Sequence, residues 1–455
     1  MNSKRFYLVQ STTLIRKRTT RMHMRSSTLK SRKPASLFAL ASFILSALVP
    51  AFYSASALDM TKLAANSINS LGIDLLGRMT TPNQAAVVSP YSIQCAMAMT
   101  YAGAEGETRT EMARVLHYPS DGDVHRSFSE LQQALTQVAA NSKRAAEQTQ
   151  KYAPRDPITF SVANRLYGQQ GYDFREPFLK LLRDTYQAPL EAVDFARNAG
   201  VVTRQINAWV ENQTHQRIRN LIPDGALNEL TRLVLVNALY LKAPWEKPFT
   251  PSATTPQPFH FTDGKTADVP TMVNQQPLGY AEYQDCTAVT IPYAGNELTL
   301  LVLLPKQVDG LASLQRNLTP AFLEQCSRLA TRDVILHLPK FKLEPPTLAL
   351  GEQLEALGMR SAFDHPRGSA NFNGIAPKKP NEYLYISEVF HKTFISIDEK
   401  GTEAAAATAV AVRALTALLE KPKPVEVRVD HPFIFAIQHR ATGACLFLGR
   451  LTDPR

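Results

Sequence analysis

Three stretches, LTRLVLVNALYLKAPW (230–245), LTLLVLLPK (298–306) and DVILHLPKF (333–341), are apolar at nearly every position. A strand with one wet face alternates polar and apolar residues, whereas a strand that is apolar at successive positions is covered on both faces. The chain must therefore build sheets that lie inside the protein, between other layers. ITFSVANRLYG (158–168) reads as a further strand, and the closing VRVDHPFIFAIQHRATGACLFLGRLTDP as paired strands with a turn near Ala441-Thr442-Gly443.

The covering layers are legible upstream. From Asp59 to about Thr80, Ile68, Leu71, Leu75 and Met79 recur at three- and four-residue spacing, one face of a helix. Residues 89–118 read as two more helices: Ser89-Pro90 is a good start, and Gly103-Ala104-Glu105-Gly106 a break before Thr108 caps the second. Residues 124–157 read as a polar surface helix and a loop, and further helices lie around Phe178–Tyr186 and Val202–Thr214. Helices early, strands late and no regular βαβ alternation predict an α+β fold. No repeat or flexible linker divides residues 58–455, which read as one domain.

The net charge of +10 suggests a basic protein until its location is traced. Residues 1–57 hold ten Lys/Arg and no Asp or Glu, leaving 40 basic against 40 acidic residues in the body. A near-neutral body removes the compositional support for nucleic-acid binding. The N-terminus reads as an export signal: a basic lead ending at Lys30, Arg32 and Lys33, an apolar run from about Ala35 to Phe52, and Ala55-Ser56-Ala57 as the cleavage site. Translation from Met22 or Met24 would shorten the long lead. The alternative is an uncleaved anchor, against which Pro50 and the serines of the run count. The expectation is a secreted protein, extracellular or periplasmic, with no membrane association once the signal is removed. The four cysteines, Cys95, Cys286, Cys326 and Cys445, match no zinc spacing and read as core residues, with one disulfide left open.

Catalytic signatures are missing. The chain has no G-x-S-x-G, H-E-x-x-H or G-x-x-x-x-G-K-S/T, and its histidines are scattered. No catalytic residue, metal ligand or cofactor site is assigned, and the chain is not read as an enzyme.

One segment remains, DEKGTEAAAATAVAVRALTALLEKPKP (398–424). Its alanines suggest a helix. At period two, however, Thr402, Ala404, Ala406, Thr408, Val410 and Val412 share one face, and Glu403, Ala405, Ala407, Ala409, Ala411 and Arg413 the other. Both charges then lie on one face, so the segment could enter a sheet without burying an unpaired charge. A helix separates those charges by about 80°.

These motifs converge on one family. VVSPYSIQCAMAMTYAGAEGETRTEM (87–112), ANRLYGQQGYDFREPFLKLLRDTYQAPLEAVDF (163–195), INAWVENQTHQRIRNLIP (206–223), TRLVLVNALYLKAPWEKPF (231–249), LPKFKLE (338–344), FHKTFISIDEKGTEAAAATA (390–409) and DHPFIFAI (430–437) occur in an order and spacing that resemble a serpin of the inhibitory type. The resemblance implies three β-sheets, about nine helices and an exposed reactive-centre loop. It implies a target protease as partner, trapped by a monomeric inhibitor in a covalent 1:1 complex after the cut loop inserts into the central sheet. It assigns the hinge to Glu399, Gly401, Thr402, Glu403, Ala404, Ala405, Ala406, Ala407 and Thr408. It matches Ser89, Ser92, Asn237 and His391 to the shutter beneath the opening sheet, and Trp245 to the breach where the loop enters. Family spacing from Gly401 puts the reactive bond at Leu415-Thr416, suiting chymotrypsin-like or elastase-like proteases. Arg413-Ala414, suited to trypsin-like or subtilisin-like proteases, is the alternative, and a non-inhibitory binding protein is the alternative function. The stretch from Leu415 to Asp430-His431-Pro432 is longer than the family pattern.

Overall fold

The apolar runs become the inner strands of two large sheets. The computed structural model describes residues 60–79, 84–119, 123–149, 156–380, 382–403 and 423–455. The export segment, Ala404–Thr408 of the hinge and both candidate reactive bonds lie outside the described residues.

The larger sheet has nine strands. Ala86–Val88, Cys445–Leu451, Phe433–His439, Leu298–Pro305, Cys286–Pro292, Thr266–Glu282, Thr331–Pro339 and Val425–Arg428 follow one another across it, and Thr255–His260 also pairs with Thr266–Glu282. Leu298–Pro305, Phe433–His439 and Cys445–Leu451 are buried along their whole length, as their sequences require. The 17-residue strand Thr266–Glu282 joins both halves of this sheet.

The second sheet has six strands, in the order Phe341–Leu343, Ile395–Asp398, Gly401–Thr402, Leu233–Pro244, Thr159–Gln169, Leu190–Val193. A third pairs Leu348–Ala349 with Phe390–His391. With nine α-helices among the described residues, the α+β serpin architecture expected from the sequence is present.

The helix Pro90–Tyr101 is buried at every position but Ala96 and packs against both Leu233–Pro244 and Cys445–Leu451, tying the two sheets together. Ser89 caps it, accepting from the Ser92 amide at 3.2 Å. Thr108 does not play the matching role expected of it. The next helix, Gly106–Val115, starts earlier, at a Gly106 with φ +55°, and the Thr108 hydroxyl instead accepts from the Asn371 amide at 3.0 Å. The polar stretch after residue 124 forms a single helix, Val124–Thr149.

All four cysteines are free and buried. Cys286, Cys326 and Cys445 share one apolar cluster with Leu301, Leu303 and Ile434, and burial pushes Cys326 and Cys445 up to about 12. They serve as small core residues. No helix among the described residues is long and apolar enough to cross a membrane, and none of their His, Cys, Asp and Glu side chains group as a metal site.

Candidate functional site: the hinge and the open side of the six-stranded sheet

Ile395–Asp398 runs to the end of its sheet and turns back at once. Asp398 Oδ1 accepts from the amides of Lys400 at 2.8 Å and Gly401 at 3.3 Å, closing the turn. Gly401 has φ +148°, and a Cβ there would lie 2.1 Å from the Ala243 carbonyl oxygen, so only glycine fits. Gly401 and Thr402 then lie antiparallel to both neighbours, Thr402 opposite Ile397 on one side and Ala243 on the other. Two residues of the expected hinge thus already form one strand of the sheet.

Thr402 is 3% exposed, and its hydroxyl shares a 2.5 Å hydrogen bond with Tyr293. The Tyr293 ring stacks on Trp245 at 4.6 Å and 10°. Trp245 holds the turn by two donations, from its amide to the Lys400 carbonyl at 2.8 Å and from its indole Nε1 to the Asp398 carbonyl at 2.9 Å. Glu399 pairs with Lys340 at 2.9 Å and accepts from Thr254. Burial alone would raise the Glu399 carboxyl, but those partners outweigh it and hold the group below its ordinary value. Glu403 has φ +50°, turns out of the strand direction and forms an ion pair with Arg217.

Below this point the sheet changes character. Leu233–Pro244 is laddered to Thr159–Gln169 from Leu233 through Lys242. On its other edge, among the described residues, only Ala243 and Pro244 find partners, Thr402 and Gly401. Among the described residues no ladder joins 233–242 to 383–394, the chain that leads into Ile395–Asp398. That edge would be costly to leave without partners in the interior.

Four residues assigned to the shutter meet across this seam. The Ser92 hydroxyl donates to Asn237 Oδ1, and Asn237 Nδ2 donates to Asn164 Oδ1 at 2.5 Å. The Ser89 hydroxyl donates to the Leu446 carbonyl at 2.7 Å, and its amide donates to His391 Nε2 at 3.0 Å. Nε2 is therefore the unprotonated nitrogen, and burial lowers the His391 pKa to about 4. Thr393 completes the tie, donating to the Val87 carbonyl at 3.1 Å.

Sequence reasoning missed Tyr293, Arg217 and Asn164. Asn164 is a polar residue inside a strand run, as Asn237 is, and that interruption was a usable signal. Tyr293 and Arg217 meet the hinge only through long-range folding, which no local pattern encodes.

At its downstream end the loop is held by the other sheet. Val425–Arg428 runs parallel to Thr331–Pro339, with Val425 opposite Val334. Asp430 accepts from the His260 amide through its carbonyl at 2.7 Å, and His431 Nε2 bonds to the Pro305 carbonyl at 2.9 Å.

The model of the family described as "Serpin (serine protease inhibitor)" matches residues 66–454. The chain is 37% identical over 396 residues to an uncharacterized serpin-like protein of Thermococcus kodakarensis, covering 87% of this chain and 86% of that protein. It is 35% identical over 402 residues to leukocyte elastase inhibitor of Bos taurus, covering 86% and 99%. Among solved structures it resembles cleaved serpin 42Da, with a TM-score of 0.72, 31% identity and coverage of 87% and 100%. These relatives also correct one expectation. Leukocyte elastase inhibitor and serpin B10 of Sorex araneus are intracellular serpins, and this contradicts the secreted location read from the N-terminus. With the fold, the ordered motifs and the family model in agreement, the chain belongs to the serpin family of protease inhibitors.

Proposed function

We propose that the chain is a monomeric suicide inhibitor of serine proteases of the chymotrypsin-like or elastase-like class, which it traps as a covalent 1:1 complex. The protease serine attacks the Leu415 carbonyl, the bond to Thr416 breaks, and the new amine takes the proton relayed by the protease's histidine. Before water can hydrolyse the acyl-enzyme, the segment from Gly401 onward enters the six-stranded sheet between Leu233–Pro244 and Ile395–Asp398. Each new ladder bond stabilises the product by roughly 0.5–1.5 kcal/mol net. Cysteine proteases forming the same kind of acyl-enzyme are open to the same trap.

The observation that supports this reading is the placement of Gly401 and Thr402, antiparallel to both flanking strands at the head of a seam with no ladder below it among the described residues. Insertion extends a strand that has already begun. The alternation that follows Thr402 supports it, since the residues destined for the buried face are Ala, Thr and Val. The name of the bovine relative, leukocyte elastase inhibitor, agrees with leucine as the bait residue.

The test is incubation with chymotrypsin and elastase, read on a denaturing gel and by mass of the released C-terminal peptide. A heat-stable band at the summed mass less the released peptide, with that peptide starting at Thr416, is expected. Thr402→Arg should abolish that band and leave plain cleavage, because an arginine beside Tyr293 would bury a charge without a partner. Cleavage without a covalent band in the unaltered protein would overturn the reading.

A further inference from the structure

The chain has one Asn-Gly pair, Asn373-Gly374. Glycine carries no side chain to shield its amide nitrogen, so in such a pair that nitrogen can reach the asparagine side-chain carbon and close a five-membered ring. Whether it does so depends on how the fold holds the two groups.

The pair lies where the ends of three helices meet. Gly103 follows the helix Pro90–Tyr101, Glu105 precedes Gly106–Val115 and Arg175 precedes Glu176–Tyr186. The nucleophile is restrained, because the Gly374 amide donates to the Gly103 carbonyl at 3.1 Å. The two backbones touch there: a Cβ on Gly374 would lie 2.9 Å from Gly103 Cα, and one on Gly103 would lie 2.2 Å from Ile375 Cγ1. The electrophile is treated in the opposite way. Asn373 Oδ1 accepts from Arg175 Nη2 at 3.0 Å and from the Lys378 amide at 3.3 Å, donors that stabilise the negative charge forming on that oxygen under attack. Arg175 is itself fixed, its Nε donating to the Asn373 carbonyl and its amide to the Ile375 carbonyl at 2.9 Å. Asn373 Nδ2 donates to the Glu105 carboxylate at 3.1 Å.

We propose that Asn373-Gly374 is a self-modification site, armed by Arg175 and held shut by the hydrogen bond from Gly374 to Gly103. When that bond opens, the Gly374 nitrogen attacks Asn373 Cγ, its proton and the side-chain nitrogen leave together as ammonia, and a succinimide forms. Water then breaks one of the two bonds from the ring nitrogen to a ring carbonyl, leaving aspartate or isoaspartate, and nothing is oxidised or reduced. Either product opposes reclosure. A carboxylate in place of Nδ2 meets Glu105 with like charge, and isoaspartate adds a carbon to a main chain that has no room at Gly103. Openings of this corner are therefore recorded irreversibly.

The test incubates the full chain in mildly alkaline buffer, folded or unfolded in urea, and follows residue 373 by peptide mass and by fragmentation that tells isoaspartate from aspartate. Conversion is expected in the folded chain, about a hundredfold slower than in the unfolded one, with sub-denaturing urea narrowing the gap. Arg175→Met should slow conversion in the folded chain about tenfold through loss of the oxyanion donor, whereas Arg175 acting only as a strut predicts faster conversion. The converted chain should melt lower than the unconverted one. The proposal is overturned if the folded chain shows no conversion once the unfolded chain has fully converted, or if both convert at one rate. Faster conversion in Arg175→Met, or a melting temperature unchanged by conversion, would also count against it.

Discussion

The two large sheets are built from similar runs and finished differently. Leu298–Pro305 is laddered along both edges, to Cys286–Pro292 and to Phe433–His439, and every residue is buried. Leu233–Pro244 looks as apolar in the sequence, yet among the described residues it is laddered from Leu233 through Lys242 on one edge and only at Ala243 and Pro244 on the other. An apolar run thus tells that a strand is covered, without telling whether both edges are closed. What distinguishes the second run is Asn237 in its middle, tied to Ser92 and Asn164. A hydrogen-bonded cluster can exchange partners, whereas packed leucines can only be pulled apart. The closed sheet supplies the frame, and under the proposed function the other supplies the travel.

The contrast can be broken by substitution. Phe435, 0% exposed in the closed sheet, packs on Phe341 with ring centroids 5.2 Å apart. Phe435→Ala should cost about 3–5 kcal/mol and lower the melting temperatures of the intact and loop-cut forms together. If calorimetry found only the intact form affected, the nine-stranded sheet would not be the fixed frame described here.

A smaller effect sharpens the seam. His391 is neutral in the folded protein with a pKa of about 4, against about 6.5 unfolded. Between those values the unfolded chain binds a proton that the folded one excludes. The stabilisation is full above about pH 6.5 and is lost as pH falls towards 4, on the order of 3 kcal/mol from this residue. His391→Gln should flatten the acid limb of a urea-unfolding midpoint against pH by that amount. Because His125 and His439 are also lowered to about 4, the difference between variant and parent is the quantity to read. An unchanged acid limb would mean that the Ser89 amide does not hold the neutral ring.

Much of the fold was legible because its signals are local. Apolar runs gave the inner strands, three- and four-residue spacing gave the first helix, and Ser89-Pro90 gave a cap that the structure retains. Thr108 misled, since its hydroxyl suits a cap but is used by Asn371 from a distant loop. Of the site, the hinge composition and Trp245 stood out in the sequence. Tyr293 and Arg217 did not, because the first meets Thr402 across 109 positions and the second meets Glu403 across 186. Contacts of that range follow from topology, which periodicity does not carry. The location read from residues 1–57 went astray for another reason: a basic lead and an apolar run describe a segment, while the relatives describe the body.

The most direct measurement is the melting temperature of the purified chain before and after a single cut within 413–416. If the severed segment becomes an inner strand of the six-stranded sheet, the cut form gains a ladder on both sides and should melt higher by about 10 °C or more. A cut form that melts at or below the intact protein would mean that no strand is gained, and the account of this chain as a spring-loaded inhibitor would be wrong.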